Sequence, residues 1–405
     1  MSPTEVRPAR KIWVLSQGSP LEHFITALVV PALGRSVAVQ RDAPASVLDG
    51  LVLSGLDAAF LRPSVDLAHG IAHCVRAEDL AEAAATRADL AAAHIVSPTR
   101  YGAVADVRAL ADAAHEAGVP LIVDETWRSP LFGGHPEVLP DALAYGADLT
   151  VVRGATPVLR LGDGPHADLL RPLIDRAVDL AGRAHGEVPP SARPPHGWDH
   201  VLDSLEAAVT IRAGVRKEGR FTLVDEGFAG IGGIAAAEPL RITVNTRDGG
   251  VRGHRALRQL ADAARGVTVG TATGTVLSVV LGTEVEPDAE GFLDALHALP
   301  VLPTELPEPL RLALPEPGPG RLTVREAFFG TARVVPSATA VGMVSAATVT
   351  ACPPGVPVLM PGEVITAETV AFLTAVSRSK GGRVSGAADA DGLGLRVVEE
   401  SVADW

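Results

Sequence analysis

The sequence predicts an α/β fold around a mostly parallel sheet, and three features of its first 154 residues carry that prediction. Short apolar runs alternate with amphipathic stretches, as strands and helices do in such folds. The connections between them are short. Gly55 and Gly118 follow amphipathic stretches, where helices commonly end. Ligands bind such sheets beyond the carboxyl ends of the strands, so residues just after each strand are the functional candidates.

The predicted elements of this first part follow one another in a regular order. The amphipathic stretches predict helices, and acidic residues suit the positive end of the one that begins at residue 77. The apolar runs predict strands at 12–15, 36–40, 57–63, 92–98 and 120–125, with helices at 23–33, 46–55, 77–86 and 106–118 between them. Two further segments, 141–146 and 148–154, continue the series.

The second half of the chain shows a different pattern. A Pro-rich break at 186–200 is followed by a helix through 204–219. From residue 239 onward a small α+β domain is predicted, with a strand at 239–246, a helix at 253–264, paired strands within 267–282 and a helix at 292–299.

Two Pro-rich stretches divide the chain into segments, since a second one occupies 302–320. The first segment is expected to be a large α/β domain and the second a linker with its connecting helix. A small α+β domain and a C-terminal domain complete the prediction. The predicted segments are 1–185, 186–235, 236–305 and 306–405.

Composition narrows the class of protein. The formal net charge of −13 over 405 residues argues against nucleic acid or an anionic membrane as the main partner. Only two cysteines occur, Cys74 and Cys352, without a Cys/His cluster, so no disulfide framework and no metal site are predicted. The sequence starts without an apolar signal segment and has no run of 18 apolar residues, so a cytoplasmic location is expected.

Two blocks of the sequence resemble the ornithine/lysine/arginine decarboxylases, which are fold-type-I enzymes. Residues 97–126 together with 135–152 form the first block, and 325–366 form the second. The second contains the pattern PPGxPxxxPGE, from Pro353 to Glu363. The order and spacing of the similar segments extend from residue 13 to the end of the chain.

The resemblance implies an architecture and a chemistry. It implies an aminotransferase-like large domain, a small α+β domain and a decarboxylase-type C-terminal segment. It also implies pyridoxal phosphate as cofactor, carbon–carbon lyase activity and sites built at a dimer interface. Family members usually carry a segment before the first strand of the large domain, and this chain is expected to be truncated there.

Two of the positions implied by the resemblance follow the strand that ends near residue 124. Enzymes of this kind need a carboxylate that keeps the pyridine nitrogen of the cofactor protonated. Asp124 holds that position. Three residues later, where the family has a histidine, stands Trp127. Tryptophan cannot exchange protons at neutral pH, so Trp127 is expected either to stack on a flat ligand or to fill the space of the cofactor, and we favour filling.

The positions for ring stacking and phosphate binding have also changed. Pro44 stands where the family has the histidine that stacks on the cofactor, and Ser46 remains nearby, where it could cap the next helix. In the loop after the first strand, Gly18 and Ser19 could still contact an anion. Pro20 removes a backbone N–H donor, so a phosphate group would be held poorly.

The Schiff-base motif of the family, S-x-H-K, lacks its lysine in this sequence. Alignment through 146–148 assigns the lysine position to Thr156 and the serine position to Arg153. A threonine hydroxyl cannot form an imine, and arginine stays protonated and cannot act as the base. Thr99 is a further cofactor-binding position by resemblance. The three lysines of the whole chain are distant from this motif in sequence: Lys11, Lys217 and Lys380.

Three functional interpretations remain open at this stage. The first is a non-catalytic homologue, which would be the partner or regulatory subunit of an active paralogue or a binder of a basic amino acid or polyamine. The second is an enzyme with pyridoxal-independent acid–base chemistry in the old cleft, using some of Asp124, Glu125, Arg128, Arg153, His135 and His166. The third is a decarboxylase that binds pyridoxal phosphate non-covalently or borrows a partner's lysine. Both a homodimer and a heteromer are compatible with these interpretations.

Overall fold

The computed structural model describes residues 9–15, 20–128, 139–152, 157–185, 200–301, 306, 312–389 and 393–399. The first part of the chain contains the elements of a three-layer α/β unit. These are β1 (Lys11–Val14), α1 (Leu21–Val29), β2 (Ser36–Gln40), α2 (Ala45–Ser54), β3 (Asp57–Leu61), β4 (Val65–Asp66), β5 (Ile71–Ala72), α3 (Ala77–Thr86), β6 (Leu90–Val96), β7 (Ala103–Ala105), α4 (Val107–Glu116), β8 (Leu121–Asp124), β9 (Leu149–Val152), β10 (Val158–Leu161) and α5 (Ala167–His185).

The remaining elements form two smaller units. The middle part holds α6 (Val201–Glu218), β11 (Thr222–Leu223), β12 (Ile234–Ala237), β13 (Arg241–Asn245), α7 (Gly253–Leu260), β14 (Val267–Ala272), β15 (Val276–Leu281) and α8 (Ala289–His297). The C-terminal part holds α9 (Val324–Phe329), β16 (Ala332–Pro336), β17 (Val349–Cys352), β18 (Val356–Leu359), α10 (Ala367–Arg378), β19 (Arg383–Ser385) and β20 (Gly394–Val398). Across the described residues, no helix has the length and apolarity that a membrane span requires.

The main sheet has seven strands in the order β1-β10-β9-β8-β6-β2-β3. Strands β9, β8, β6, β2 and β3 pair in parallel, and β10 is antiparallel to both of its neighbours. The prediction of a mostly parallel sheet is therefore confirmed. Because β8 lies near the centre of the sheet, residues that follow it are covered on both sides by other strands.

Successive apolar side chains of each strand point to opposite faces of the sheet. Each face therefore has its own core, as expected when helices cover both faces. One core packs Val37, Val39 and Ile122 against apolar residues of α1, α2 and α5. The other packs Ala38 and Val123 against α3 and α4.

The middle unit packs α6, α7 and α8 on a four-stranded sheet of order β11-β13-β15-β14. The C-terminal unit has its own small core between α10 and strands β16 to β20. A buried ion pair ties it to the main sheet: Arg41, just after β2, donates to both carboxylate oxygens of Glu363 at 2.6 Å. Glu363 is the last residue of the PPGxPxxxPGE pattern, so this block anchors the C-terminal unit.

Several predicted elements need correction in detail. Segment 141–146 contains a 3-10 helix, Ala142–Tyr145, rather than a regular helix or strand. Strand β10 and helix α5 were not predicted. The suggestion that Ser46 caps helix α2 is wrong, because α2 begins at Ala45, the residue before it is Pro44, and no side chain caps that end.

Candidate functional site at the end of strand β8

Asp124 is the last residue of β8 and lies in the core at 0% exposure. Both of its carboxylate oxygens have partners. Oδ2 lies 3.0 Å from Nε2 of His23, and Oδ1 accepts a hydrogen bond of 2.8 Å from the backbone N–H of Thr126. Burial alone would raise the pKa of Asp124, but the hydrogen bond and charge of His23, with His94 and Thr126, lower it below its ordinary value. Asp124 is therefore a buried carboxylate, satisfied from within the chain.

His23 reaches Asp124 from the first turn of α1, and its ring is held at both nitrogens. Nδ1 lies 2.7 Å from Oγ of Ser46 in α2, while Nε2 faces Asp124. His23 is 1% exposed and Ser46 is 8% exposed. The Ser–His–Asp arrangement resembles the order of groups in a hydrolase triad. Its serine is buried among the helices, however, so a substrate carbonyl could not reach it.

His94 lies beside this pair on the adjacent strand. Val96 of β6 pairs with Asp124, and His94, two residues earlier, points to the same face of the sheet. The His94 and His23 rings meet edge to face with centroids 6.1 Å apart. Burial lowers the pKa of His94 to about 4, although Asp124 acts in the opposite direction. The His94 ring is therefore neutral at neutral pH.

A small cavity lies between the sheet and helices α1 and α2, lined by His23, His94 and apolar side chains. Its volume is about 30 Å³. That is enough for about one water molecule.

Trp127 lies just beyond Asp124 and is half-buried against the same core. The guanidinium of Arg100 lies 5.4 Å from the centroid of its ring, and Arg241 donates to its backbone oxygen at 2.5 Å. Arg241 also donates to the backbone oxygen of Arg100 at 3.2 Å. The indole is thus packed between the core and an arginine side chain.

Glu125 and Arg128 form a second buried pair next to Asp124. Nη1 of Arg128 donates to Oε1 of Glu125 at 2.9 Å, and the backbone N–H of Ala142 donates to the same oxygen at 3.1 Å. Burial raises the pKa of Glu125 despite the opposing charge of Arg128. Arg128 also donates to the backbone oxygen of Leu139, while Oε2 of Glu125 and Nε of Arg128 are buried without a partner among the described residues.

The other predicted positions are distributed differently. Thr99 closes a tight turn after β6, where its Oγ1 accepts from the N–H of Ala103 at 3.1 Å. Pro44 precedes α2. His166 is bonded to Asp148. Asp148 also accepts a hydrogen bond from the N–H of Leu121, the first residue of β8, so His166 lies at the amino end of this strand and Asp124 at its carboxyl end. The structure therefore does not bring His166 to Asp124. The remaining positions lie outside the described residues: Gly18, Ser19, His135, Arg153 and Thr156.

The three lysines of the chain lie in three different parts of the fold. Lys11 begins β1 and pairs with Asp175. Lys217 is in the last turn of α6. Lys380 follows α10 in the C-terminal unit. Asp124 has no lysine among its hydrogen-bond or ion-pair partners.

Comparison with known proteins decides the family. The model of the major domain of Orn/Lys/Arg decarboxylases matches residues 4–150, and the model of their C-terminal domain matches residues 321–382. The chain belongs to the Orn/Lys/Arg decarboxylase family.

Individual relatives agree with this family assignment. The arginine decarboxylase of Bacillus subtilis is 23% identical over 96% of this chain and 82% of its own length. That of Halalkalibacterium halodurans is 25% identical over 94% of this chain and 80% of its own. The solved lysine decarboxylases from E. coli and Pseudomonas aeruginosa both have a TM-score of 0.67. The E. coli enzyme is 16% identical to this chain, and the match covers 96% of this chain and 71% of the enzyme. The Pseudomonas aeruginosa enzyme is 17% identical, and the match covers 96% of this chain and 70% of the enzyme. The decarboxylase-like fold of type I is thereby shown.

Pyridoxal phosphate is the cofactor that this family implies, and the described residues do not fit it. The carboxylate that would face the pyridine nitrogen is fully buried and bonded to His23 and Thr126. No lysine is among the partners of Asp124. The described residues therefore offer this cofactor no free carboxylate at the end of β8.

Sequence reasoning identified Asp124 but missed the two histidines around it. His23 and His94 each interrupt an otherwise apolar segment, HFITALVV and AAAHIV. A polar residue inside a buried strand requires a partner, and that signal could have marked His94. Asp124 lies 101 residues after His23, so no local spacing reveals their contact.

Proposed function

We propose that this chain is a non-catalytic member of the decarboxylase family that acts as the partner or regulatory subunit of an active paralogue. The observation that carries the proposal is the bond between His23 and Asp124. The imidazole of His23 is hydrogen-bonded to the carboxylate that, by resemblance, would face the pyridine nitrogen of the cofactor. Together with Thr156 at the lysine position, this supports the loss of imine chemistry while the fold is kept.

A role through association is favoured over a role as a sensor of a basic amino acid or polyamine. A cationic ligand would need an accessible carboxylate. Asp124 and Glu125 are 0% and 1% exposed, and each is already bonded to other groups of the chain. Burial of both carboxylates leaves little for a cation to contact at this edge.

An exposed apolar surface supports the association role. Phe328 and Phe329 in α9 are 59% and 68% exposed, with ring centroids 5.1 Å apart. Arg325 connects them to α2, where its Nη1 donates to the backbone oxygen of Leu53, a residue that is itself 57% exposed. Clustered exposed apolar side chains of this size are typical of protein interfaces. We propose that this surface, Leu53 with Phe328 and Phe329, contacts the decarboxylase partner.

A cytoplasmic location is part of the same proposal. Cys74 and Cys352 are both free, which suits a reducing compartment.

The test is to mix the full chain with an active decarboxylase paralogue from the same genome. Native mass spectrometry and decarboxylation assays of the mixture are compared with those of the paralogue alone. We expect a mixed oligomer of fixed stoichiometry and altered activity of the paralogue. Two separate sets of masses with unchanged activity would overturn the partner role.

A further inference from the structure

Three side chains of metal-ligand type from three separate elements meet in the core beneath the carboxyl edge of the sheet. They are His23 from α1, His94 from β6 and Asp124 from β8. One ligand atom of each lies within 4.8 Å of the other two. Their exposures are 1%, 4% and 0%.

His94 provides the independent sign that something is bound there. Neither of its ring nitrogens has a hydrogen-bond partner among the described residues, although both are buried. Leaving such a group unsatisfied costs stability, and native structures rarely do so. His94 also lines the small cavity that His23 borders. An unpartnered imidazole nitrogen close to a second histidine and a carboxylate is of the type that binds metal ions.

The other two side chains are oriented as metal ligands usually are. Nδ1 of His23 lies 2.7 Å from Oγ of Ser46, which leaves Nε2 to face Asp124. Oδ1 of Asp124 accepts a hydrogen bond from the N–H of Thr126, which leaves Oδ2 to bind an ion. Such outer hydrogen bonds fix the orientation of ligands. The Nε2–Oδ2 separation of 3.0 Å is close to the spacing of about 3.3 Å between two ligands of a tetrahedral zinc ion.

We propose that His23, His94 and Asp124 bind one divalent transition-metal ion of the Zn²⁺ class. Two imidazoles and a carboxylate suit Zn²⁺, whereas Mg²⁺ and Ca²⁺ prefer oxygen ligands throughout. Three protein ligands leave a fourth position, and the cavity of about 30 Å³ has room for one water there. Binding replaces the hydrogen bond between His23 and Asp124.

This inference stands apart from the proposed function, since association with a paralogue requires no ion. It concerns the same carboxylate, however. An ion on Oδ2 of Asp124 would lock α1 to the sheet and keep that carboxylate from any other partner. The role assigned to the ion is therefore structural.

A second group of the same residue types supplies a matched control. His115, Asp148 and His166 also lie within ligand distance of one another. Here each histidine is already bonded to the carboxylate, at 2.8 Å from His115 and 3.3 Å from His166. Both rings are partly exposed. This surface group has no buried unsatisfied nitrogen and is not proposed as a site.

The experiment uses the full chain, stripped of metal with a chelator and titrated with Co²⁺, then with Zn²⁺. We expect one equivalent of Co²⁺ with the visible absorption of a four-coordinate ion, displaced by Zn²⁺, and a higher melting temperature with either ion. His94→Leu should weaken binding by at least about 100-fold, whereas His166→Asn should bind as the wild type does. Without metal, His94→Leu should melt no lower than the wild type, because the substitution removes an unsatisfied buried group.

Asp124→Asn serves as the second variant if His94→Leu does not fold, and it should lose binding in the same way. Absence of stoichiometric Co²⁺ binding by the wild type would overturn the proposal and leave a cavity water as the partner of His94. Equal binding by the wild type and a folded His94→Leu or Asp124→Asn variant would overturn it too. Neither result bears on whether a paralogue associates, so failures of the two proposals are distinguishable.

Discussion

Nε2 of His23 lies 3.0 Å from Oδ2 of Asp124, and both side chains are buried in the core. Asp124 ends a central strand, at the place where a fold of this type directs a carboxylate towards a bound ligand. In this chain the carboxylate faces an internal imidazole. At the position that the family resemblance assigns to the cofactor, the pair forms a contact between α1 and the sheet.

The first prediction concerns that contact in the metal-free protein. His23→Leu should lower the free energy of unfolding by about 2–3 kcal/mol, because it leaves the buried Asp124 carboxylate without a charge-assisted partner. Ser46→Ala removes only the outer hydrogen bond of the same ring and should cost about 1 kcal/mol. Urea unfolding measures both. A His23→Leu variant as stable as the wild type would contradict the account.

The second prediction is a loss of stability in mild acid. Burial lowers the pKa of His94 from 6.5 to about 4, against the attraction of Asp124 and with the repulsion of His23. Between these values the unfolded chain binds a proton that the folded chain does not, so stability decreases as the pH falls through this interval. Over this interval His94 accounts for a loss of roughly 3 kcal/mol in the free energy of unfolding. His94→Leu should remove that part of the pH dependence.

The measurement for this second prediction is urea unfolding of the metal-free protein at about pH 7 and about pH 4.5. His73 serves as a control, since burial also lowers its pKa to about 4 and it lies outside the His23 group. His73→Leu should also reduce the loss of unfolding free energy between about pH 7 and about pH 4.5, and its effect should add to that of His94→Leu. Parallel pH profiles of the wild type and His94→Leu would refute the assignment.

The third prediction concerns the bidentate pair between Arg41 and Glu363. Glu363→Ala should destabilise the protein by about 3–5 kcal/mol, because the buried guanidinium loses its counter-charge. The double variant Arg41→Met/Glu363→Leu should recover part of that loss. Glu316→Ala breaks the exposed pair with Arg62 and should cost less than about 1 kcal/mol. Thermal and urea unfolding of the four proteins provides the test, and equal losses for Glu363→Ala and Glu316→Ala would count against it.

The fourth prediction concerns the exposed surface formed by Leu53, Phe328 and Phe329. Phe328→Glu/Phe329→Glu should abolish association with the decarboxylase partner and leave the melting temperature nearly unchanged, because both rings are mostly exposed. Val209→Glu, on α6 at 67% exposure, is the matched control and should associate normally. Analytical ultracentrifugation of the mixtures gives the result. Retained association of the double variant would exclude this surface.

Much of the fold could be predicted from the sequence, because the burial of alternating apolar residues dictates strands and helices locally. Helix α3 was predicted with its observed bounds, and β2 likewise. Strand β10 has only four residues, and the charged Arg160 interrupts its apolar pattern, so no run marked it. Helix α5 contains Pro172, a residue that usually argues against a helix interior.

The candidate site could be predicted only in part. The family resemblance and the position after a strand identified Asp124. Its partners come from elements far apart in the chain, and only the packing of α1 and α2 on the sheet brings His23 and Ser46 to it. Trp127 was expected to fill the cofactor space, and the structure adds a contact with Arg100 that no sequence pattern indicated. Long-range contacts of this kind depend on tertiary packing, which local patterns do not encode.

Addition of pyridoxal phosphate to the purified full chain, with visible spectra before and after borohydride, tests the central claim most directly. An intact arginine decarboxylase treated in parallel is the positive control. The account predicts no imine band and no mass increase after reduction, because the resemblance assigns the lysine position to Thr156 and Asp124 is bonded to His23. An imine band that borohydride fixes as a covalent adduct of one equivalent would contradict it.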